Sequence, residues 1–496
     1  MSPSSINAET PIGVRVTVKQ KVSGQKSTDD NIFVAEHQIR NMFSRALSDM
    51  YKKEVPLYGD LMDIVSGINQ DVLAQNPELE SELGNLDRLT EERHGAIRLG
   101  KPEELGIMAR LFDVMGMQPV GYYDLSVAGL PIHSTAFRPI DNDELAKNPF
   151  RVFTSLLRTD LLNEQIRSQA EASLKDRQIF TPGALELIEV HKREGGLTVA
   201  QAEAFIREAL ETFRWHSEAR VWQQQYEKFL ECSSLVADIV SFKGPHINHL
   251  TPRVLDIQAL HKRMGDMGIE TIPEIQGPPT GWPILLQQTS FRAIVETIRF
   301  PKRRGGFVEG RHRARFGEIE QRHTSLKPEG MAIYDRLIAK AKEQGAELKK
   351  AGEEVYRYKY PGMLADLFSK EFPAKTHEEL RRQNLGYFIY ELTEKGRQHP
   401  EMLRLKSNGK PQQEILNSLI GEGLVTTVPI TYEDFLPVSA AGIFKSNLDE
   451  KSGLIDKEAS SNREMFEEAL GVEVVDYHTL YREQEEHSIC ELFRAN

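Results

Sequence analysis

The first regular pattern along the chain is an apolar stripe with helical spacing. From about residue 32, apolar residues recur every three or four positions, at Ile39, Met42, Phe43, Leu47 and Met50. This spacing places their side chains on one face of an α-helix. A second stretch of the same kind covers residues 58–72. We therefore predict N-terminal helices within residues 31–90, preceded by a polar, disordered tail at residues 1–30.

The next part of the chain contains a pattern of elements that occurs twice. The first copy, at residues 91–158, begins with the strand-like string HGAIRLG and continues with KPEELGIMARLFDVMG, a helix that Pro102 opens near its first turn. Three more strand-like strings follow, namely PVGYYDL, PIHSTAFRPI and FRVFTSLLR. The predicted order is strand, helix, strand, strand, strand.

The second copy, at residues 244–325, has the same predicted order. HINHLTPRVL is the first strand, and DIQALHKRMGDMG is a helix with Asp256 at its N-cap. Strands are predicted at IETIPEIQG, PILLQQTSFRAI and RARFGEIEQR. Both helices end in Met-Gly, at Gly116 and Gly268, where glycine suits the left-handed C-terminal turn. The repeat predicts an α+β fold in which two βαβββ modules form a curved sheet around a cleft.

Two further segments are predicted to be mainly helical. Residues 159–243, rich in Glu, Gln, Ala and Leu, form a helical insertion between the modules. Residues 326–496 form a C-terminal helical region, in which LGYFIYELT is a strand that brings the chain back to the sheet. The segment at residues 430–448 of this region is predicted to return to the cleft.

Residue types that bind metals lie on the first and last strands of the repeat. His94 and His249 belong to the first strands of the two copies, and Glu318 and Glu320 belong to the last strand of the second copy. Both acids fall on one face, so alternation alone does not choose between them. Two histidines and one carboxylate form the facial triad of non-haem Fe(II) oxygenases. We predict a metal centre of this kind in the cleft.

Spacing also does not decide which histidine of the second copy is the metal ligand. Counted back from the Met-Gly pair that ends each helix, His94 and His246 lie at the same distance of 21 residues, whereas His249 lies at 18. However, an arginine follows four positions after His94 and again after His249, at Arg98 and Arg253. Histidine and arginine at that separation share one face of a strand, and this register favours His249.

The composition argues against nucleic-acid binding, membrane association and cysteine-based metal sites. The 496 residues carry 62 basic and 74 acidic side chains, a net charge of −12, which repels a phosphate backbone and argues against nucleic acid as a partner. No apolar run approaches the ~20 residues that span a bilayer, so no membrane partner is expected. Cys232 and Cys490 are the only cysteines. This count suits a reducing, cytoplasmic compartment and leaves histidine and carboxylate as the metal ligands.

Several strings together resemble one known family. ERHGAIR, FRVFTSLLR, RQIFTP, KGPHINHLTPR, ARFGEIEQR and YEDFLPVSAAGIF are similar to the 2-oxoadipate dioxygenase/decarboxylase family, over about residues 35–475. The βαβββ pair also resembles the vicinal oxygen chelate superfamily. The resemblance implies an Fe(II) enzyme that converts 2-oxoadipate and O2 to 2-hydroxyglutarate and CO2, late in lysine breakdown.

The resemblance also implies roles for particular residues. The iron ligands are His94, His249 and Glu318. Arg98 meets the substrate carboxylate and acts in catalysis by orienting the substrate, with help from Val438 and Ser439. A buried arginine beside a metal ligand is costly to desolvate unless it has an anionic partner, and a 2-oxo dicarboxylic acid supplies one.

Two other functions fit the same ligands. One is a redox-silent lyase or isomerase of glyoxalase type, with Ni or Zn as the Lewis acid. The other is a metal-binding scaffold that holds a ligand without turnover. Among the remaining histidines, His133 and His246 are expected to be structural or to support the site, and His312 and His323 are expected to lie in loops.

Overall fold

The computed structural model describes residues 33–77, 79, 86–272, 274–399, 412–436 and 462–494, together with three two-residue strands before residue 20. The strands are β1 Ala8–Glu9, β2 Arg15–Val16, β3 Val18–Lys19, β4 Phe33–Val34, β5 Arg93–Leu99, β6 Gln118–Asp124, β7 Ile132–Arg138, β8 Arg151–Leu157, β9 His249–Pro252, β10 Leu286–Ser290, β11 Val295–Pro301, β12 Phe307–Arg313, β13 Glu318–Arg322, β14 Phe388–Leu392 and β15 Val425–Pro429. Apart from β1 to β3, the predicted tail at residues 1–30 lies outside the described residues.

The helices of the described residues account for most of the remaining chain. They are α1 Glu36–Glu54, α2 Pro56–Gln75, α3 Leu86–Glu91, α4 Pro102–Asp113, α5 Asn142–Lys147, α6 Glu164–Leu174, α7 Pro182–Glu194, α8 Val199–Leu210, α9 Gln223–Cys232, α10 Ser234–Ser241, α11 Ile257–Asp266, α12 Pro328–Lys350, α13 Glu353–Glu371, α14 His377–Arg382, α15 Glu394–Gln398, α16 Gln412–Gly421, α17 Arg463–Leu470 and α18 Tyr477–Arg494. Helices α1 and α2 occur where the apolar spacing predicts helices, and α6 to α10 lie within the stretch whose composition predicts a helical insertion. None of the helices described here combines the length and the apolar character that a membrane span requires.

A five-stranded sheet forms the centre of the first compact unit, which consists of Met1–Ile272, Thr289–Glu320 and Phe435–Val475. Its strand order is β6-β7-β8-β5-β9. Strands β5 and β8 run parallel, and the other neighbours run antiparallel. The first copy of the repeat therefore has the predicted order β5, α4, β6, β7, β8. The first strand of the second copy, β9, joins the same sheet beside β5.

Helix α4 covers one face of this sheet. Pro102 occupies its first turn, and the carboxylate of Glu104 accepts hydrogen bonds from the backbone N–H groups of Gly100 and Lys101, which precede the helix. The apolar face of α4 is buried, and the Phe112 ring lies 4.7 Å from the Phe137 ring of β7. The opposite face of β5 and β8 is consequently left for the functional groups described below.

The second copy of the repeat departs from its prediction after helix α11. Apart from residue 273, which is not described, residues 269–277 form only isolated bridges at Thr271 and Gln276, so the strand predicted there is wrong. The predicted strand at RARFGEIEQR is two elements, since Arg313 ends β12 and Glu318 begins β13.

An antiparallel hairpin of β11 and β12 was not predicted. The adjoining Gly305 and Gly306 have φ of +82° and +79°, which provides the tight turn between the two strands. One face of the hairpin is exposed, and the other buries Ile298, Phe300 and His312. The buried face also carries an acid and a glycine beside this histidine, so the apolar alternation typical of a half-buried strand is weak.

The second compact unit consists of Pro273–Gln288, Gln321–Asp434 and Asp476–Asn496. The strand predicted at LGYFIYELT is present as β14, but it pairs with β15 in a separate hairpin rather than with the five-stranded sheet. Helix α18 packs beside β14. Its Glu485 carboxylate and Ser488 hydroxyl accept hydrogen bonds from the backbone N–H groups of Phe388 and Tyr390. Helix side chains thus satisfy the free edge of a short strand.

A buried ion pair attaches the helical insertion to the first module. The Arg177 guanidinium donates to both carboxylate oxygens of Glu104, at 2.9 and 2.6 Å, and also to the backbone carbonyl of Ile239 in α10. Both side chains of the pair are almost fully buried. Arg177 therefore joins the start of α4 to the helix that carries Asp238.

We expect Arg177→Met to lower the free energy of unfolding by about 3–5 kcal/mol, because it leaves the Glu104 carboxylate buried without its charge partner. Urea denaturation followed by circular dichroism measures the change. The matched control is Arg193→Met, which removes an ion pair to Glu194 at the surface and should change the free energy of unfolding by less than about 0.5 kcal/mol. Equal losses in the two variants would contradict the anchoring role of Arg177.

Candidate metal centre

The pairing of β5 with β9 brings the two predicted histidine ligands together. In this antiparallel pair, His94 lies opposite Thr251 and Ala96 lies opposite His249, so all four side chains point to one face of the sheet. Gly95 permits the close approach of the two strands. A Cβ atom there would lie 2.6 Å from the Ile247 side chain and 3.2 Å from the His249 carbonyl oxygen.

Glu318, the first residue of β13, completes a group of three. Its Oε2 atom lies 3.1 Å from His94 Nε2 and 2.9 Å from His249 Nε2, and it also accepts a hydrogen bond from the Thr251 hydroxyl at 2.9 Å. One donor atom from each of the three residues lies within 4.8 Å of the other two, and all three side chains are buried. The three ligands predicted from the sequence are therefore placed at one point.

The chemistry of these donors fits a metal ion. Two imidazole nitrogens and one carboxylate oxygen suit a first-row transition metal. Burial alone would raise the pKa of Glu318, but the charges and hydrogen bonds of His249 and His94 outweigh it and hold the pKa well below its usual range. Burial lowers the pKa of His249 despite its contact with Glu318. A deprotonated carboxylate and a neutral imidazole are the forms that bind metals.

Glu320 lies on the same strand face as Glu318 but contacts the other ring nitrogen of His94. Its Oε1 atom lies 3.2 Å from His94 Nδ1 and accepts a hydrogen bond from the Arg151 guanidinium. Burial lowers the pKa of His94, but the two carboxylates outweigh this effect and raise it. A carboxylate on the far nitrogen of a ligating histidine fixes its ring orientation and its tautomer.

Arg98 shares the face of His94, four residues further along β5. At about 3.3 Å per residue, the two Cα atoms are roughly 13 Å apart. Arg98 Nη1 donates to Asp238 Oδ2 at 2.7 Å, and both side chains are only 2% exposed. The charge of Arg98 also contributes to lowering the pKa of His249, after burial and the charge of His94. The anionic partner that Arg98 needs is thus Asp238 of helix α10, which the sequence analysis did not identify.

Asp238 is the centre of a buried polar cluster. Its Oδ1 atom lies 3.0 Å from His312 Nε2 and 3.6 Å from His246 Nε2. The amide of Asn248 fits best with its oxygen toward His246 Nε2, at 3.0 Å, and toward Arg98 Nη1, at 3.1 Å. His246, the alternative to His249 on spacing, therefore belongs to this cluster and not to the group of three.

The predictions that His312 and His323 lie in loops have different outcomes. The prediction that His312 lies in a loop is wrong, because His312 is a buried residue of strand β12. His323 follows the last residue of β13 and lies outside any strand. His133 of β7 points to the opposite face from His94, where its ring lies 4.6 Å from that of Phe466.

Aromatic side chains pack next to His94. The Phe435 ring lies 4.9 Å from the His94 ring and 4.9 Å from the Phe153 ring of β8. Phe435, within the segment 430–448 predicted to return to the cleft, is therefore at the site, and residues 437–448 lie outside the described residues. Val438 and Ser439, predicted to bind substrate, lie outside the described residues.

A signal for Asp238 is present in the sequence. Helix α10 has the sequence SLVADIVS, in which one acid stands among apolar residues, and every residue from Leu235 to Ser241 is buried. A carboxylate in such a helix needs a cationic or hydrogen-bonding partner. The sequence alone could therefore have suggested that Asp238, the single acid of this apolar helix, pairs with Arg98, an arginine of a buried strand.

The sequence model of the 2-oxoadipate dioxygenase/decarboxylase family matches residues 43–447. A Pseudomonas putida protein named 2-oxoadipate dioxygenase/decarboxylase is 50% identical over 464 residues, which are 92% of this chain and 97% of the relative. The Escherichia coli protein of the same name is 46% identical over 460 residues, which are 92% of this chain and 98% of the relative.

A solved structure is similar over nearly the whole chain. It is the crystal structure of the hydroxyglutarate synthase from Pseudomonas putida in complex with 2-oxoadipate, with a TM-score of 0.81 and 47% sequence identity. The matched region covers 94% of this chain and 99% of that one. On these matches, the chain belongs to the 2-oxoadipate dioxygenase/decarboxylase family.

Proposed function

We propose that the protein is an Fe(II)-dependent dioxygenase/decarboxylase that converts 2-oxoadipate and O2 to 2-hydroxyglutarate and CO2. The observation that carries this proposal is the buried group of His94, His249 and Glu318, with Arg98 further along the strand of His94 and on the same face. The names of the close relatives and the 2-oxoadipate bound in the Pseudomonas putida hydroxyglutarate synthase support the choice of reaction and substrate.

In this proposal, His94, His249 and Glu318 are the three protein ligands of iron. Iron bound there would supply chelation of the 2-oxo acid group and activation of O2. Glu318 and Glu320 bring two negative charges to the ligand end of the site, and Arg151 offsets one of them. A divalent ion together with the substrate's 2-oxo carboxylate would leave this end close to neutral, as a buried site requires.

Arg98 is proposed to bind the far carboxylate of 2-oxoadipate. Its separation from His94 along β5 lets one six-carbon acid reach from the ligands to the guanidinium. Asp238 holds the guanidinium through Nη1, which fixes its plane before substrate arrives. Fixing the far carboxylate determines which carbon and which face of the substrate are presented to the ligand end, so Arg98 acts in catalysis by orientation.

The aromatic boundary is proposed to keep water away from the reacting end. Phe435 packs against His94, and Phe153 packs against Phe435. An apolar wall there strengthens the electrostatic interactions within the site. Val438 and Ser439 follow Phe435 closely in the chain, and we assign them to substrate binding on the family resemblance.

We also propose the wider assignments that the resemblance implies. The chain would comprise an N-terminal helical part, a first vicinal oxygen chelate module at residues 91–158, a helical insertion at residues 159–243, a second module at residues 244–325 and a C-terminal region at residues 326–496. The reaction would belong to lysine breakdown in the cytoplasm.

Protein loaded with Fe(II) without oxygen should consume O2 on addition of 2-oxoadipate, with equal amounts of CO2 and 2-hydroxyglutarate formed. Because His94 is a proposed ligand, His94→Ala should abolish the uptake. An oxygen electrode and chiral chromatography measure the reaction. The matched control is His191→Ala, at the end of helix α7, which should keep wild-type activity. Turnover of a 2-oxo acid without O2 uptake would instead support the lyase alternative.

Arg98→Ala should keep iron but lower kcat/KM for 2-oxoadipate by roughly 100-fold or more, because the far carboxylate loses its positioning partner. Iron content and steady-state kinetics measure the two effects separately. The control Arg110→Ala removes a partly exposed arginine that pairs with Glu189, and its kinetics should match the wild type. Unchanged efficiency in Arg98→Ala would remove Arg98 from the site.

Glu320→Gln should weaken metal binding by about 10–100-fold, because the amide holds the His94 ring less firmly and lowers its basicity. Titration of the protein with Co(II), followed by its absorption spectrum, measures the affinity without turnover. Glu309→Gln changes an exposed acid of β12 and serves as the control. Equal affinities of the two variants would show that Glu320 does not support the metal centre.

A further inference from the structure

The far-carboxylate end of the proposed site is already balanced in charge. Arg98 and Asp238 form a buried ion pair at 2.7 Å, and each side chain is 2% exposed. A substrate carboxylate that binds Arg98 would therefore add a second negative charge beside Asp238. Two buried carboxylates with one guanidinium between them are costly, so a further positive charge is required when substrate binds.

The groups that face Asp238 come from several elements. Arg98 approaches from β5, His246 from the segment before β9, His312 from β12, and Tyr226 of α9 contacts His312. Arg315, which follows β12, acts on His246 but is itself paired with Glu296 and Glu54. Among these groups, histidine is the residue type that takes up a proton near neutral pH in its ordinary state.

His312 is better placed than His246 to gain that proton. Burial lowers the pKa of His246 to about 3 despite the nearby Asp238. His312 lies closer to the Asp238 carboxylate, at 3.0 Å, and its second nitrogen, Nδ1, lies 2.8 Å from the Tyr226 hydroxyl. In the neutral ring, Nε2–H donates to Asp238 and Nδ1 accepts from Tyr226.

A solvent groove gives His312 access to protons from outside the site. Tyr226 and His312 both line a groove of about 660 Å³, together with exposed residues such as Arg311. Burial and the charge of Asp238 raise the pKa of Tyr226, so its hydroxyl stays neutral. When Nδ1 takes up a proton, it becomes a donor, and the Tyr226 oxygen can accept from it while its own hydrogen turns toward the groove.

We propose that binding of the far carboxylate at Arg98 is coupled to uptake of one proton by His312, which then balances the charge of Asp238. The coupling rests on the proposed function, because it takes 2-oxoadipate as the ligand. His312 thereby determines the preference for a dicarboxylate, although it lies on the opposite side of Asp238 from Arg98. The proton enters from the groove, and no covalent bond of the substrate changes in this step.

Calorimetry of 2-oxoadipate binding tests the coupling directly. Iron-loaded protein without oxygen is titrated at about pH 7.5 in buffers that differ in ionisation enthalpy. Wild type should take up about one proton more than His312→Gln, which keeps a hydrogen-bonding side chain but cannot be protonated in this range. Arg311→Gln, its neighbour on β12 and in the same groove, should behave as wild type.

The pH dependence of affinity provides a second measurement that needs no variant. Because the complex holds more protons than the free protein, affinity for 2-oxoadipate should fall as the pH rises through the neutral range, by up to about tenfold per pH unit. A monocarboxylate analogue, 2-oxohexanoate, lacks the far carboxylate and should show a flatter dependence.

The outcomes separate this inference from the proposed function. Binding of 2-oxoadipate with equal proton uptake in wild type and His312→Gln, or with affinity independent of pH, would overturn the coupling and leave the reaction standing. Absence of any binding by the iron-loaded protein would overturn the proposed function, and the coupling with it. Greater uptake in wild type than in His312→Gln would establish the coupling.

Discussion

The antiparallel contact between β5 and β9 is the interaction on which the site depends. It joins the first strands of the two repeat copies in one sheet and sets His94 and His249 on the same face. The contact requires a residue without a side chain at Gly95, because the Ile247 side chain and the His249 carbonyl lie against it. A shift of one residue in this register would turn one histidine to the other face and dissolve the group of three.

The site consists of two buried charge systems with different tasks. At one end, two acids and two histidines form a centre with excess negative charge, which suits a cation. At the other end, Arg98 and Asp238 are matched before any ligand arrives. Since buried charge is stable only when it is balanced, each end constrains the charge of what binds there. Under the proposed function, a bound divalent ion supplies the positive charge for one carboxylate of a dicarboxylate substrate, and the carboxylate at the Arg98 end needs one further positive charge beside Asp238.

Much of the site could be predicted because alternation along a strand is a local property. His94 and Arg98 had to share a face, whatever the rest of the chain did. His312 was missed because its role depends on a hairpin that reaches the site from elsewhere in the chain. The lone acid of α10 indicates that Asp238 needs a buried partner, but the helix that carries it is far from Arg98 in the sequence. The sequence could not assign different roles to Glu318 and Glu320, because both carboxylates lie on one face of the strand. The structure separates them by their partners: Glu318 meets His94 Nε2 and His249, whereas Glu320 meets His94 Nδ1 and Arg151.

The fold shows the same contrast. Elements of the first copy were predicted because its strands are buried and its helix carries clear start and stop residues. The buried face of the hairpin β11–β12 carries polar residues and a glycine beside its apolar ones, which weakens the strand pattern. The pairing of β14 with β15 joins segments whose sequences do not reveal their partners. Local pattern identifies an element, whereas its partner is chosen by packing with distant parts of the chain.

The distance in sequence between the ligands has a consequence for assembly. His94 and Glu318 are 224 residues apart, so their meeting requires the closure of a very long loop. An unfolded chain holds these donors far apart, and an ion that needs all three can bind only after the sheet and the insertion are in place. Such an ion stabilises the folded state, and the free energy of unfolding rises with the logarithm of the free ion concentration. Removing the ion would lower the free energy of unfolding by the same amount.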